Sequence, residues 1–174
     1  MAEALQPLLT EAEVAERVGA LADRIAPAID DDAVAVCLLT GGLWFAADLT
    51  RALHRRGRNL AFDALWLESY GDDRTSSGSV RVRAGLQRSV AGRLVLLLDE
   101  VFDSGLSLSA ARRHVEAAGA SAVLSAVFAR KPWPSPRPME PEYVAWEAPS
   151  RFLVGYGMDD AGRHRGRPGV GAAD

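Results

Sequence analysis

The sequence predicts an α/β chain built on an open, mostly parallel, twisted sheet flanked by helices. Three observations carry that prediction. Ala33 to Leu39 and Leu94 to Leu98 are apolar runs without a polar face, as in strands buried on both sides. Stretches of helical periodicity alternate with the strands, which favours parallel pairing through crossovers. Polar segments follow the apolar strands directly, at Thr40, Ser69, Asp99 to Ser107 and Lys131. In an open parallel sheet the carboxyl ends of the strands form the ligand crevice.

Taken in order, Thr10-Glu11-Ala12-Glu13 is a capping box that opens a helix. Val14, Val18, Leu21 and Ile25 mark its apolar face, and Pro27 with Asp30-Asp31-Asp32 ends it in a solvated turn. Ala33 to Leu39 is the first buried strand. A helix from about Leu43 to Arg56 follows Thr40-Gly41-Gly42, with Phe45, Leu49, Ala52 and Arg56 on one face and Gly57 as its stop. Leu60 to Leu67 is a further strand, and Val80 to Val82 is a returning strand after a polar, Gly- and Ser-rich segment. Leu94 to Leu98 leads into a helix with Leu108, Ala111, Val115 and Ala118 on one face, stopped at Gly119. Ala122 to Phe128 and Tyr143 to Trp146 are further strands, separated by an irregular connection with five prolines from Pro132 to Pro141. The tail from Gly155 onward holds six of the sixteen glycines, so a mobile end is expected.

A length of 174 residues suits one domain with a sizeable core. The net charge of -3 argues against a nucleic-acid-binding surface. One cysteine, Cys37, excludes an internal disulfide and a multi-cysteine zinc site, and its apolar surroundings mark it as core. No apolar run is long enough to span a membrane, and Met1 to Pro7 lacks the features of a secretory leader. A cytoplasmic location without a membrane partner is expected.

The chemistry concentrates between Leu98 and Leu108. A loop that leaves a strand and enters a helix aims unpaired amides at whatever lies above the helix start, and the helix dipole favours an anion there. Gly105 lets the backbone approach closely, Ser104 and Ser107 can donate hydroxyls, and Ser107 could also cap the helix. Asp99 and Glu100 would repel a phosphate but suit sugar hydroxyls or a cation. Asp103 lies between these groups and could act as a base. Sugar, phosphate and proton acceptor together fit a phosphorylated ribose.

Asp99-Glu100-Val101-Phe102-Asp103-Ser104-Gly105-Leu106-Ser107 resembles the phosphoribosyl pyrophosphate signature of type I phosphoribosyltransferases: two acids, two apolar residues, Asp, Thr or Ser, Gly, any residue, then Thr or Ser. Leu39 to Leu49 is similar to the pyrophosphate segment of the purine enzymes, which implies a non-proline cis peptide at Leu39-Thr40. Thr40 stands where the hypoxanthine enzymes usually carry Lys. The resemblance runs from about Ala33 to Arg165 and implies the type I fold: one domain over residues 1–174, with a core of about 33–131 and a hood from about 1–30 and 132–174.

By the same resemblance, Asp99 and Glu100 bind the ribose hydroxyls, directly or through magnesium, and Asp103 handles the proton near N7 of the purine. The 5-phosphate falls to Asp103, Ser104, Gly105, Leu106 and Ser107, and pyrophosphate to Thr40, Gly41 and Arg165. Ser69 and Tyr70 begin a lid that excludes water from the reacting sugar. Lys131 contacts the six-position oxygen and, as a donor only, favours a 6-oxopurine. Phe152 stacks on the base, Leu153 reads its edge through the backbone, and Asp159 holds a second magnesium ion.

The implied reaction is purine plus phosphoribosyl pyrophosphate giving nucleotide monophosphate and pyrophosphate, as in purine salvage by hypoxanthine or hypoxanthine-guanine phosphoribosyltransferases. Mg2+ is the implied cofactor, and a dimer or tetramer of like chains the implied assembly. Three alternatives stay open: xanthine preference, a non-catalytic ligand-binding relative suggested by Thr40, and an RNA-binding regulator on the same fold.

Overall fold

A computed structural model describes residues 5–70 and 79–173. Among these residues the large sheet has six strands in the order β4-β3-β2-β5-β6-β7. They are β2 (Val34–Leu39), β3 (Ala61–Tyr70), β4 (Ser79–Ala84), β5 (Leu94–Phe102), β6 (Ala122–Arg130) and β7 (Tyr143–Glu147). All neighbours pair in parallel except β3 and β4. Helices α1 (Glu11–Ile25), α2 (Leu43–His54) and α3 (Leu106–Ala117) cover its faces.

The unbroken apolar runs are explained by burial on both sides. Successive strand residues point to opposite faces. Ala35 and Cys37 of β2, with Leu96 and Leu98 of β5, pack under α1 and α2 against Val18, Leu21, Phe45 and Leu49. Val34, Val36 and Leu38, with Val95 and Leu97, pack under α3 against Leu108, Ala111 and Val115. Cys37 is fully buried, and burial pushes its thiol up to about 12. The capping box of α1 is formed: Thr10 Oγ1 accepts from Glu13 N at 3.3 Å, and Glu13 Oε2 accepts from Thr10 N at 2.8 Å.

The strand order places the functional loops. β2 leads to β3 on one side of the sheet, and β5 enters on the other, so the order reverses between β2 and β5. A crevice beyond the carboxyl ends of those two strands follows from that topology. β2 and β5 run in register only from Val34↔Val95 to Cys37↔Leu98. Beyond that point β2 turns away at Thr40, whereas β5 continues to Phe102 on β6, as Asp99↔Val127 and Phe102↔Arg130 show. Asp99 and Glu100 therefore sit on a strand with one edge released, not in a loop.

Several expectations need correcting. The tail does not stay irregular: β9 (Val170–Ala173) is a buried strand between β1 (Gln6–Leu9) and β8 (Phe152–Val154) in a second, antiparallel sheet. The glycines of 155–169 serve tight bends, bridged at Gly155↔Met158 and Asp160↔Arg163, that return the chain to this sheet. Ser107 does not cap α3. The helix starts at Leu106, so Ser107 lies inside it, and Gly105, which has no side chain to cap with, occupies the cap at φ 79°. Ala118 is exposed, because α3 ends before it. The lid expected from Ser69 and Tyr70 is only bounded: both residues end β3, and their side chains and residues 71–78 lie outside the described residues.

Candidate active site

A cleft of about 460 Å³ opens at the carboxyl ends of β2, β3 and β5. Thr40 and Gly41 line one side of it, the β5–α3 turn another, and Asp159 with Arg165 a third. The Leu39-Thr40 peptide is cis.

The β5–α3 turn forms an anion cradle. Gly105 adopts the left-handed region, which an L side chain rarely tolerates, and a Cβ there would lie 3.0 Å from the Phe102 ring. The turn hands the chain to α3 with the first-turn amides facing the cleft end of the helix. Ser104, Gly105 and Ser107 line the cleft, whereas Leu106 does not. The Leu106 amide instead donates to Ser104 Oγ at 3.4 Å.

Asp99 and Glu100 stand on the released edge of β5. Burial, then the adjacent Glu100 charge, pushes the Asp99 carboxyl well above the usual carboxylate range. Burial raises Glu100 as well, against the lowering effect of its hydrogen bonds and of Arg165. Gly41 packs directly onto Glu100: a Cβ at Gly41 would fall 1.8 Å from Glu100 Oε1. A hard cation would offset the cost of ionising these two half-buried carboxyl groups, which can also meet hydroxyl donors. Among the described residues no three His, Cys, Asp or Glu side chains converge as a metal cage. The donor set here is the Asp99–Glu100 pair alone, and Mg2+ is commonly held by one or two carboxylates together with substrate phosphates.

A smaller recess of about 170 Å³ opens beside the cleft, lined by Lys131, Phe152, Leu153 and Met158. Glu100, Val101, Asp103 and Asp159 line both spaces, so the two form one continuous site. Phe152 is half exposed at 51%, leaving its ring available, whereas Leu153 is buried. Lys131 Nζ lies 3.4 Å from Asp103 Oδ1. That oxygen is buried and, among the described residues, accepts no hydrogen bond. Arg165 pairs with Asp159 at 2.7 Å and donates to Gly157 O at 2.6 Å, and Gly162 N donates to Asp159 Oδ2 at 2.6 Å. Both Asp159 oxygens are thus engaged within the chain.

The phosphoribosyl transferase domain profile matches residues 10–161. The chain belongs to the phosphoribosyltransferase family. It is 31% identical over 166 residues to the hypoxanthine-guanine phosphoribosyltransferase of Dictyostelium discoideum, covering 94% of this chain and 92% of the relative. It is 32% identical over 165 residues to that of Bacillus subtilis, covering 94% and 90%. The solved hypoxanthine phosphoribosyl transferase of Trypanosoma cruzi superposes with a TM-score of 0.91 at 26% identity, over 100% of this chain and 93% of that one. The fold is accordingly the type I phosphoribosyltransferase fold, and the protein is an enzyme of that family.

In this phosphoribosyltransferase the cleft and recess are also lined by residues that the sequence left unmarked. Trp66 lines the cleft from β3, 43% exposed and paired in register with Leu39. An outward Trp beside a buried Leu65 was the available signal. Met158 lines the recess from inside the Gly-rich bend, where no periodicity marks it.

Proposed function

We propose that the enzyme transfers the 5-phosphoribosyl group of phosphoribosyl pyrophosphate to a 6-oxopurine, hypoxanthine or guanine, releasing pyrophosphate and a purine nucleotide for salvage. One observation carries this reading: Asp103 and Lys131, from the ends of neighbouring strands, meet in a recess that opens onto an anion cradle. A purine in the recess would stack on Phe152, present its six-position oxygen to Lys131 and turn N7 toward Asp103. The cradle at Ser104, Gly105 and Ser107, with the adjoining backbone of Leu106, would hold the 5-phosphate. Thr40, Gly41 and Arg165 would face pyrophosphate, and the ribose hydroxyls would lie on Asp99 and Glu100.

The bond from the sugar's C1 to pyrophosphate breaks as the bond to N9 forms, through a cation-like sugar. Alignment of base, sugar and leaving group supplies much of the rate. Asp103 accepts the N7 proton while N9 attacks. Its buried oxygen accepts no hydrogen bond among the described residues and faces only the Lys131 ammonium at 3.4 Å, which suits that task. Asp99 and Glu100 would hold Mg2+, and the chemistry the ion would supply there is neutralisation of charge on the leaving diphosphate. For Asp159 to hold a second ion, its pairing with Arg165 would have to open.

Ser69 and Tyr70 would start a lid over the sugar. Residues 1–174 would act as one unit, with the small sheet as a hood over the recess. Phosphorylated sugars do not cross bilayers unaided, which supports a cytoplasmic site of action. Assembly into dimers or tetramers follows from the family resemblance, and light scattering after gel filtration reads it.

The test is nucleotide formation from phosphoribosyl pyrophosphate and magnesium with hypoxanthine, guanine, xanthine, adenine and uracil in parallel. Product with hypoxanthine or guanine alone is expected. Product only with adenine or uracil would leave the sugar-phosphate site intact and overturn the base assignment.

A further inference from the structure

The Pro-rich connection between β6 and β7 has no ladder to hold it, yet it lies against the site. Its Met139 carbonyl is 3.4 Å from where a Cβ on Gly105 would sit. The anchor of this segment is Arg137, whose side chain is only 11% exposed. Arg137 Nε donates to the backbone carbonyl of Asp103 at 2.7 Å, and Nη2 donates to the backbone carbonyl of Lys131. Nη1 donates to Glu140 Oε1 at 3.1 Å. The guanidinium lies 4.8 Å from the centroid of the Phe102 ring.

We infer that Arg137 is a positioning residue that sets the separation of Asp103 and Lys131, an inference resting on the roles proposed for those two side chains. Three features support it. The fork binds the carbonyls of both residues, leaving the carboxylate and the ammonium free to meet a base. Its charge is answered by Glu140, which also pairs with Arg130, itself held by Glu147. The two loops are further tied by Lys131 N donating to Phe102 O at 3.0 Å, so one planar group closes a short ring of contacts. A lysine could supply the charge but not a planar fork that stacks and bonds two carbonyls at once.

The test uses the full chain and the variants Arg137→Lys, Arg137→Met, Lys131→Met, Asp103→Asn and the double variant Arg137→Met/Lys131→Met. Thermal melts identify which are folded at the assay temperature, and Arg137→Lys carries the test if Arg137→Met is not. The readouts are kcat/KM for hypoxanthine and Kd for phosphoribosyl pyrophosphate. Both Arg137 variants should lower kcat/KM for the base roughly 10- to 100-fold, with the sugar donor's Kd within about threefold. In the Lys131→Met background the loss from Arg137→Met should shrink, because residues acting through one another are not additive. Wild-type kcat/KM in Arg137→Lys, or equal losses in kcat/KM and in sugar-donor binding, would overturn the inference while Lys131→Met and Asp103→Asn remain impaired. Unimpaired Lys131→Met and Asp103→Asn would instead overturn the roles on which it rests.

Discussion

Lys131 Nζ sits 3.4 Å from Asp103 Oδ1, across the mouth of a recess that neither residue fills. Asp103 follows β5 and Lys131 follows β6, adjacent parallel strands whose register carries both past the sheet's end. One cation that can only donate and one anion that can only accept thus face the same small space. A 6-oxopurine offers the matching pair, an acceptor at position six and a donor at N7.

Lys131→Met should therefore act on the base. Loss of a charge-assisted hydrogen bond costs about 1.5–3 kcal/mol, so kcat/KM for hypoxanthine should fall roughly 10- to 150-fold. Steady-state assays with hypoxanthine and adenine check this, and the ratio between the two bases should narrow.

Gly41→Ala should separate folding from binding. The added Cβ would overlap the Glu100 carboxylate at 1.8 Å. A carboxylate can swing aside, so the variant should fold with a melting temperature near wild type. The displaced Glu100 should weaken phosphoribosyl pyrophosphate binding by roughly tenfold or more. Calorimetric titration in magnesium reads that change.

Asp63 offers a stability prediction away from the chemistry. It is 7% exposed, and its Oδ2 accepts from Gln87 N and Arg88 N, each at 2.8 Å. Oδ1 accepts from Ala64 N at 2.8 Å. Asp63→Ala would strand these amides at a cost of about 2–4 kcal/mol. The melting temperature should drop by roughly 5–15 °C, with kcat preserved in the folded fraction.

The acid pair predicts a pH dependence. Asp99 and Glu100 are raised in the folded chain, so folded protein binds more protons than unfolded chain above the unfolded carboxylate range. Stability from this pair is present below the unfolded pKa and is lost as pH rises through the folded pKa. Asp99→Asn removes that penalty. Without magnesium, its melting temperature should exceed wild type by more at pH 8 than at pH 4, and added Mg2+ should narrow the gap by stabilising wild type.

The large sheet and the cradle were legible because each element carries its own local pattern. Val34 to Leu39 alternates between two buried faces, and the nine residues from Asp99 to Ser107 place acids, glycine and hydroxyls at distinct positions. The small sheet was not legible. Its strands Gln6–Leu9, Phe152–Val154 and Val170–Ala173 are short, and their pairing joins both ends of the chain. Strand preference depends on such partners more than on the strand itself. Arg137 was hidden for a related reason: it binds backbone carbonyls, which leave no trace in residue identity. Asp99 and Glu100 looked like loop residues because polarity replaced the apolar run, although β6 still holds their strand on one side.

The most direct test of the account is Asp103→Asn, measured for turnover and for sugar-donor binding on the same preparation. The substitution keeps the side chain's shape and removes the proton acceptor. The account predicts that kcat falls by roughly 100-fold or more, while Kd for phosphoribosyl pyrophosphate stays within about threefold. Equal losses in both, or an unchanged kcat, would contradict proton transfer to Asp103.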